Sequence, residues 1–201
     1  MPKHAFLNAL TSCSTLHLVG PMYEGETPFP YTPALFVDGG AAFRPPKGEG
    51  TLSVGDGDSF GAELDLMLPE KKNFSDLQYA LSLVPAHMQT LFLHGFLGGR
   101  KDHELINLGE VVGALKTHLP GTTVHFDESI TAFPKGSHTF HQEGLFSLIA
   151  LEENLITLQG ACHYTLDETF TLKPLESRGL SNVGEGDITL TASAPILLFR
   201  V

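Results

Sequence analysis

The stretch TLFLHGFLGGRKDHELINLGEVVGALKTH, residues 90–118, decides the fold. It opens as an apolar run over 90–96 and passes through Gly98-Gly99. It then continues as a segment in which Leu105, Leu108, Val112 and Leu115 recur at helical spacing over 103–118. A strand that turns through glycines into a helix is half of a βαβ unit, which favours a parallel sheet with crossovers. The same turn has chemical uses. Glycines allow close backbone approach, and a helix N-terminus favours anions. Arg100 offers a planar donor fork suited to phosphate oxygens. Asn107, four residues after His103, falls on the same helix face. An ordinary turn capped by Asp102 explains these residues equally well, so the stretch sets the fold class and leaves the chemistry open.

Working outward, TLHLVG (15–20), ALFVDGG (34–40) and TLSVGDGD (51–58) are further strand candidates. FSDLQYALSLV (74–84) is a second helix candidate that Ser75 or Asp76 can cap. After Pro120-Gly121 the texture changes. TTVHFDE, SHTFHQ, LFSLIAL, LITLQGACHYTL, TFTLKPL, DITLTA and PILLFRV follow one another closely, split by Gly, Pro, Asn or charges. That pattern predicts antiparallel β structure. The expected fold is therefore α/β: a Rossmann-like, mostly parallel sheet with helices over residues 1–120, followed by an antiparallel β-sandwich over 121–201.

The chain has 201 residues and a formal net charge of −11, with 42% hydrophobic and 17% charged residues. This is a globular composition. Its acidity argues against a nucleic-acid partner, which needs clustered Lys or Arg. No run approaches the roughly 18 apolar residues that span a bilayer, so no membrane association is expected. The opening MPKHAFLNALTSC is too short and interrupted for a lipoprotein signal. Cys13 and Cys162 lack metal-type spacing and read as reduced thiols of a cytoplasmic protein. His138 and His141 have no further ligands near them in the sequence. Phe133, Phe140, Phe146 and Phe170 read as core.

The carboxylates are the sharper signal. Asp38, Asp56 and Asp58 all follow strand candidates, and Asp76 begins a helix. Asp56 and Asp58 are i and i+2, so in extended backbone both side chains project to one side. Magnesium takes a few carboxylates together with waters and substrate phosphate oxygens. Ligands of open α/β sheets also bind beyond the carboxyl ends of strands. Turn chemistry accounts for Asp between glycines as well. No GxxxxGK[ST] loop is present, which excludes a P-loop.

Taken as a set, VDGGA (37–41), VGDGDS (54–59), NFSDLQYAL (73–81), LGGRKDHELIN (97–107) and GLSN (179–182) resemble, in order, the motifs of the thiamine pyrophosphokinase family. The resemblance implies transfer of a pyrophosphoryl group from ATP to thiamine with magnesium, giving thiamine diphosphate and AMP. It also implies a homodimer with shared sites. By this resemblance Asp38, Asp56, Asp58 and Asp76 are metal- and phosphate-handling carboxylates, with Asp56, Asp58, Asp76 and Arg100 catalytic. Ser59, Arg100, Asp102 and Asn107 bind ATP, alongside Asp38. Tyr164 stacks on thiamine, with Ser181 and Asn182 close by. The chain departs from the family at Ala42, Asn73, Ser75, Ala161 and Thr165, and its link between the first two strands is short. Two other readings share these residues: a pyrophosphokinase acting on another alcohol, such as a hydroxymethylpterin, and a catalytically silent thiamine- or nucleotide-binding module.

Overall fold

The computed structural model describes residues 2–46, 50–57 and 64–201. Its first half holds helix α1 (Pro2–Ala9), strands β1 (Thr15–Val19), β2 (Ala34–Val37), β3 (Thr51–Gly55) and β4 (Leu66–Met67), helix α2 (Asp76–Ser82), strand β5 (Thr90–His94) and helix α3 (Lys101–Thr117). The second half contains β6 (Thr123–Phe126), β7 (Ile130–Phe133), β8 (Gly136–Ile149), β9 (Asn154–Cys162), β10 (Leu166–Leu172), β11 (Asn182–Ala192) and β12 (Ile196–Arg200).

β1 pairs in parallel with β2 on one side and β5 on the other. From β2 the sheet continues through β3 to β4, and from β5 to β6, all parallel. The strand order thus reverses between β1 and β5, and such a switch point opens a crevice beyond the strand ends. Alternation sorts the side chains. Leu16, Leu18, Leu91, Leu93, Val124 and Phe126 enter one core together with Phe6 of α1, Leu77 and Leu81 of α2, and Leu108, Val112 and Leu115 of α3. His17, Phe92 and His94 lie on the other face, where Phe29 and Tyr31 of the β1–β2 link meet His17. The link, residues 20–33, contains no helix, so this face is covered by aromatic side chains of a loop.

Three sequence expectations change here. First, the sandwich begins as part of the same sheet. β6 pairs with β5, β7 with β6, β12 with β7, and all twelve strands form one mixed sheet. Val124, Phe126, Ile130, Ala132 and Leu197 belong to the helix-side core, although they lie beyond residue 120. A second core draws Phe146, Leu148, Ile156, Leu158, Leu172, Ile188, Leu190 and Leu198 from β8 to β12 without any helix. A sheet face buried without a helix must pack against sheet, so β8 to β12 enclose this core among themselves while staying hydrogen-bonded to the parallel half. Second, SHTFHQ and LFSLIAL are one 14-residue strand, β8, continuous through Gly144, whose φ is 82°. Third, Leu105 is 55% exposed, and Val111 takes its place on the buried face of α3. α1, β4 and β7 had no counterpart in the sequence reading. Among the described residues, no helix is long and apolar enough to cross a membrane.

Candidate active site

Three aspartates meet beyond the carboxyl ends of the parallel strands. Asp38 follows β2 and opens a 3₁₀ turn over Asp38–Phe43 with φ at 49°. The turn can pack so closely because Gly40 has no side chain: a Cβ there would strike the carbonyl oxygen of Val19. Asp56 follows β3, and Gly55 before it leaves room for the Asp38 backbone. Asp76 is the first residue of α2. Ser75 caps that helix by accepting from the Gln78 amide at 2.9 Å while donating to Glu110 at 2.6 Å. Of the two caps the sequence offered, Ser75 or Asp76, the structure uses Ser75, which leaves Asp76 as the first residue of the helix.

These residues line a cleft of ≈ 360 Å³ together with Pro21, Glu70, Lys72, Phe96, His103 and Asn107. Lys72 is the residue that sequence reasoning missed. Its Nζ lies 2.5 Å from Asp56 Oδ2 and 3.3 Å from Asp76 Oδ1, with its side chain only 8% exposed. The one available signal was its position four residues before Asp76, on a segment that showed no helical pattern. Burial alone would lower the Lys72 pKa, but the Asp56 and Asp76 carboxylates hold it above its ordinary value. The Asp76 carboxyl is raised, chiefly by burial. Lys72 opposes that shift, and the charges of Asp56 and Asp38 add to it. The Lys72–Asp76 contact is an ion pair at 3.3 Å, in which Asp76 Oδ1 is buried and accepts no geometrically sound hydrogen bond among the described residues. Asp38 Oδ1 is also buried without a hydrogen-bond partner among the described residues. Buried carboxylate oxygens that accept no hydrogen bond are costly unless a donor or cation lies near, and Asp76 Oδ1 already has the Lys72 ammonium at 3.3 Å. Their chemistry, hard anionic oxygen, fits magnesium. Asp58 and Ser59 lie outside the described residues, and among the described residues no group of three or more His, Cys, Asp or Glu is placed so that it could hold a metal ion.

The glycine turn after β5 borders a second, adjoining cleft of ≈ 170 Å³, which shares Pro21, Phe96, His103 and Asn107 with the first. Gly98 donates its backbone N–H to Glu104 at 2.7 Å, and the Asn107 amide donates to the Phe96 carbonyl at 2.8 Å. Asn107 thus braces the β5–α3 turn. Arg100 and Asp102 form an exposed pair at 2.5 Å, and the guanidinium holds the Asp102 carboxyl down at about 2. Arg100 is free of the core and can turn toward an incoming anion at little cost.

Tyr164, Ser181 and Asn182 lie elsewhere. Tyr164 follows β9 and is 69% exposed, while Asn182 begins β11. The Asn182 amide is engaged with the backbone. It accepts from the Tyr164 and Val183 N–H groups at 3.0 and 2.8 Å and donates to the Tyr164 carbonyl at 2.8 Å. Ser181 has φ at 61° and donates its N–H to Ser147 Oγ. Tyr164 and Asn182 edge an apolar cavity of ≈ 280 Å³ above the second core, with Arg178 and Phe170 at its wall. From β11 to β2 the sheet order takes seven steps, through β8, β12, β7, β6, β5 and β1. At about 4.8 Å per step that is roughly 30 Å along the sheet. The two groups line separate cavities of the chain.

Solved structures resemble this architecture over nearly its whole length. Thiamin pyrophosphokinase from Candida albicans superposes with a TM-score of 0.68 at 13% identity, covering 96% of this chain and 89% of that one. A thiamin pyrophosphokinase family protein from Enterococcus faecalis gives 0.67 at 21%, covering 94% and 99%. Thiamine pyrophosphokinase from Bacillus subtilis gives 0.64 at 22%, covering 92% and 96%. The fold is that of the thiamine pyrophosphokinases. The sequence itself matches no family model and no curated protein. What joins this chain to the thiamine pyrophosphokinase structures is thus the arrangement of its strands and helices.

Proposed function

We propose that the protein is a thiamine pyrophosphokinase, and that the cleft between β2, β3 and α2 is its nucleotide site. The observation that carries this reading is that Asp38, Asp56 and Asp76 line one cleft of a thiamine pyrophosphokinase fold, with Asp38 Oδ1 buried and accepting no hydrogen bond among the described residues. Magnesium held by these residues with Asp58 would neutralise the polyphosphate and polarise its phosphoryl oxygens. The chain's own residues supply the rest. The Gly98-Gly99 turn and the start of α3 receive the phosphates, and Arg100 leaves Asp102 to pair with them. The thiamine hydroxyl oxygen bonds to the β-phosphorus as the bond to the α-phosphate oxygen breaks, releasing AMP. Asp76, the carboxyl whose pKa burial raises, takes the hydroxyl proton.

The distance along the sheet supports a shared site. Tyr164 of one protomer would meet thiamine against the aspartates of its partner in a homodimer. Here the backbone bonds of Asn182 fix the Tyr164 turn, so Asn182 serves thiamine by positioning that ring.

Incubation with ATP, magnesium and thiamine should yield AMP and thiamine diphosphate in equal amounts. Absence of both products under any divalent ion would end the reading. The shared site has its own test. Mixed chains carrying Asp56→Asn in one and Tyr164→Ala in the other should regain activity, since one site of each heterodimer is intact. No regain despite proven subunit exchange would place both ends of the site within one chain.

A further inference from the structure

Lys72 sits where a cation belongs. Its ammonium bridges Asp56 and Asp76, and its stem is buried among groups that would otherwise repel one another. Asp38, Asp56, Glu70 and Asp76 line the cleft against this one ammonium and His103. A lysine is removed from water only when paired; here it pairs with Asp56 and Asp76, while Asp38 Oδ1 accepts no hydrogen bond among the described residues. Lys72 lies outside the helices and strands, between β4 and α2, on a flexible four-carbon side chain. It can leave without unfolding an element.

We propose that Lys72 is a resident counter-ion that exchanges with the divalent ion. In the ligand-free protein it holds the Asp56–Asp76 pair together. When metal and nucleotide arrive, the ion takes the carboxylates and the displaced ammonium turns to the phosphates. An ammonium and a divalent ion at one pair of carboxylates oppose each other, because at a few ångströms their repulsion is large even near a surface. The exchange therefore couples metal binding to nucleotide binding: the metal alone must expel a lysine, whereas metal with polyphosphate gives that lysine a new anion. This proposal rests on the reading of the cleft as a metal–nucleotide site.

The test is Mn²⁺ binding to the full chain, followed by the electron paramagnetic resonance of free Mn²⁺, with and without a non-hydrolysable ATP analogue. Without nucleotide, Lys72→Met should bind Mn²⁺ at least about tenfold more tightly than wild type, the gain expected from removing one nearby like charge. Lys72→Arg should show no gain. Lys72→Gln, which keeps a donor to Asp56, serves if the methionine variant does not fold. The analogue should tighten Mn²⁺ binding in wild type and do so less in the neutral variants. If wild type binds Mn²⁺ in an Asp56-dependent way but neither neutral variant binds more tightly, lysine and metal do not compete and the proposal fails alone. If Asp56→Asn changes Mn²⁺ binding in no background, the metal reading of the cleft fails and takes the proposal with it.

Discussion

Asp38 combines a left-handed backbone, at φ 49°, with a buried carboxylate oxygen that accepts no hydrogen bond among the described residues. For most residues that backbone costs about 1–2 kcal/mol, and Asn, Asp and Gly escape much of it. Asp38→Asn should therefore fold with stability within about 0.5 kcal/mol of wild type, since it keeps the shape and the local backbone preference. Its turnover should fall by about a hundredfold or more, because the negative charge is what a bound metal ion needs. Thermal melts and product assays on the same sample separate the two effects. On the opposite face of the sheet, His17 lies 3.0 Å from His94 between the rings of Tyr31 and Phe92. Burial, aided by His94, lowers its pKa from 6.5 to about 4, and burial lowers His94 as well. Both rings stay neutral in the fold, while the unfolded chain takes up protons first as pH falls. Their contribution to stability is thus fully present above about 6.5 and is lost as pH drops toward 4. His17→Phe, which can stack but not protonate, should flatten the fall of the melting midpoint over that window. An unchanged slope would assign the acid sensitivity to other groups.

Among the elements, α3 gives the clearest contrast. Leu105 and Leu115 belong to the same helical spacing in the sequence, yet Leu105 is exposed and Leu115 is buried in the helix-side core. Leu115→Ala should cost about 2–5 kcal/mol, and Leu105→Ala less than about 0.5 kcal/mol. Denaturant midpoints will show whether the two sites differ in this way. The β5–α3 turn is constrained in another manner. Gly95 has φ at 70°, and a Cβ there would run into the Tyr23 backbone nitrogen. Gly95→Ala should destabilise by about 1–3 kcal/mol or more, since backbone atoms cannot move aside as a side chain can. Because this crossing shapes the smaller cleft beside Met22 and Arg100, the variant should also weaken nucleotide binding, measurable by calorimetry.

At the scale of the molecule, the two cores are joined by hydrogen-bonded strands. β6 and β7 lie after the compositional break at residue 120 but complete the helix-side core through Val124, Phe126, Ile130 and Ala132. A fragment ending at 120 would expose the edge of β5 and lose those buried side chains, so it should show no cooperative melt. A sharp transition in that fragment would restore the two-domain picture.

The sequence by itself determined the α/β class, both main helices, a cap at Ser75 or Asp76 and the placement of Asp38, Asp56 and Asp76 after strands or at a helix start. Those features are local. Apolar spacing, a capping hydroxyl and residues that end a strand all act within one or two turns of chain, where the periods of 3.6 and 2 leave their mark. Only the tertiary structure decided that the sheet is continuous, that α3 turns Val111 inward and Leu105 outward, and that Lys72 occupies the aspartate cluster. It also decided that Tyr164, after β9, stands eight strand steps from β2 and its Asp38. Each depends on which strands pair and how the sheet twists and curls, and these are set by contacts between residues far apart in the chain. Lys72 reads as one more solvated charge in EKKN (70–73) until β3 brings Asp56 beside it, and no local pattern encodes that meeting.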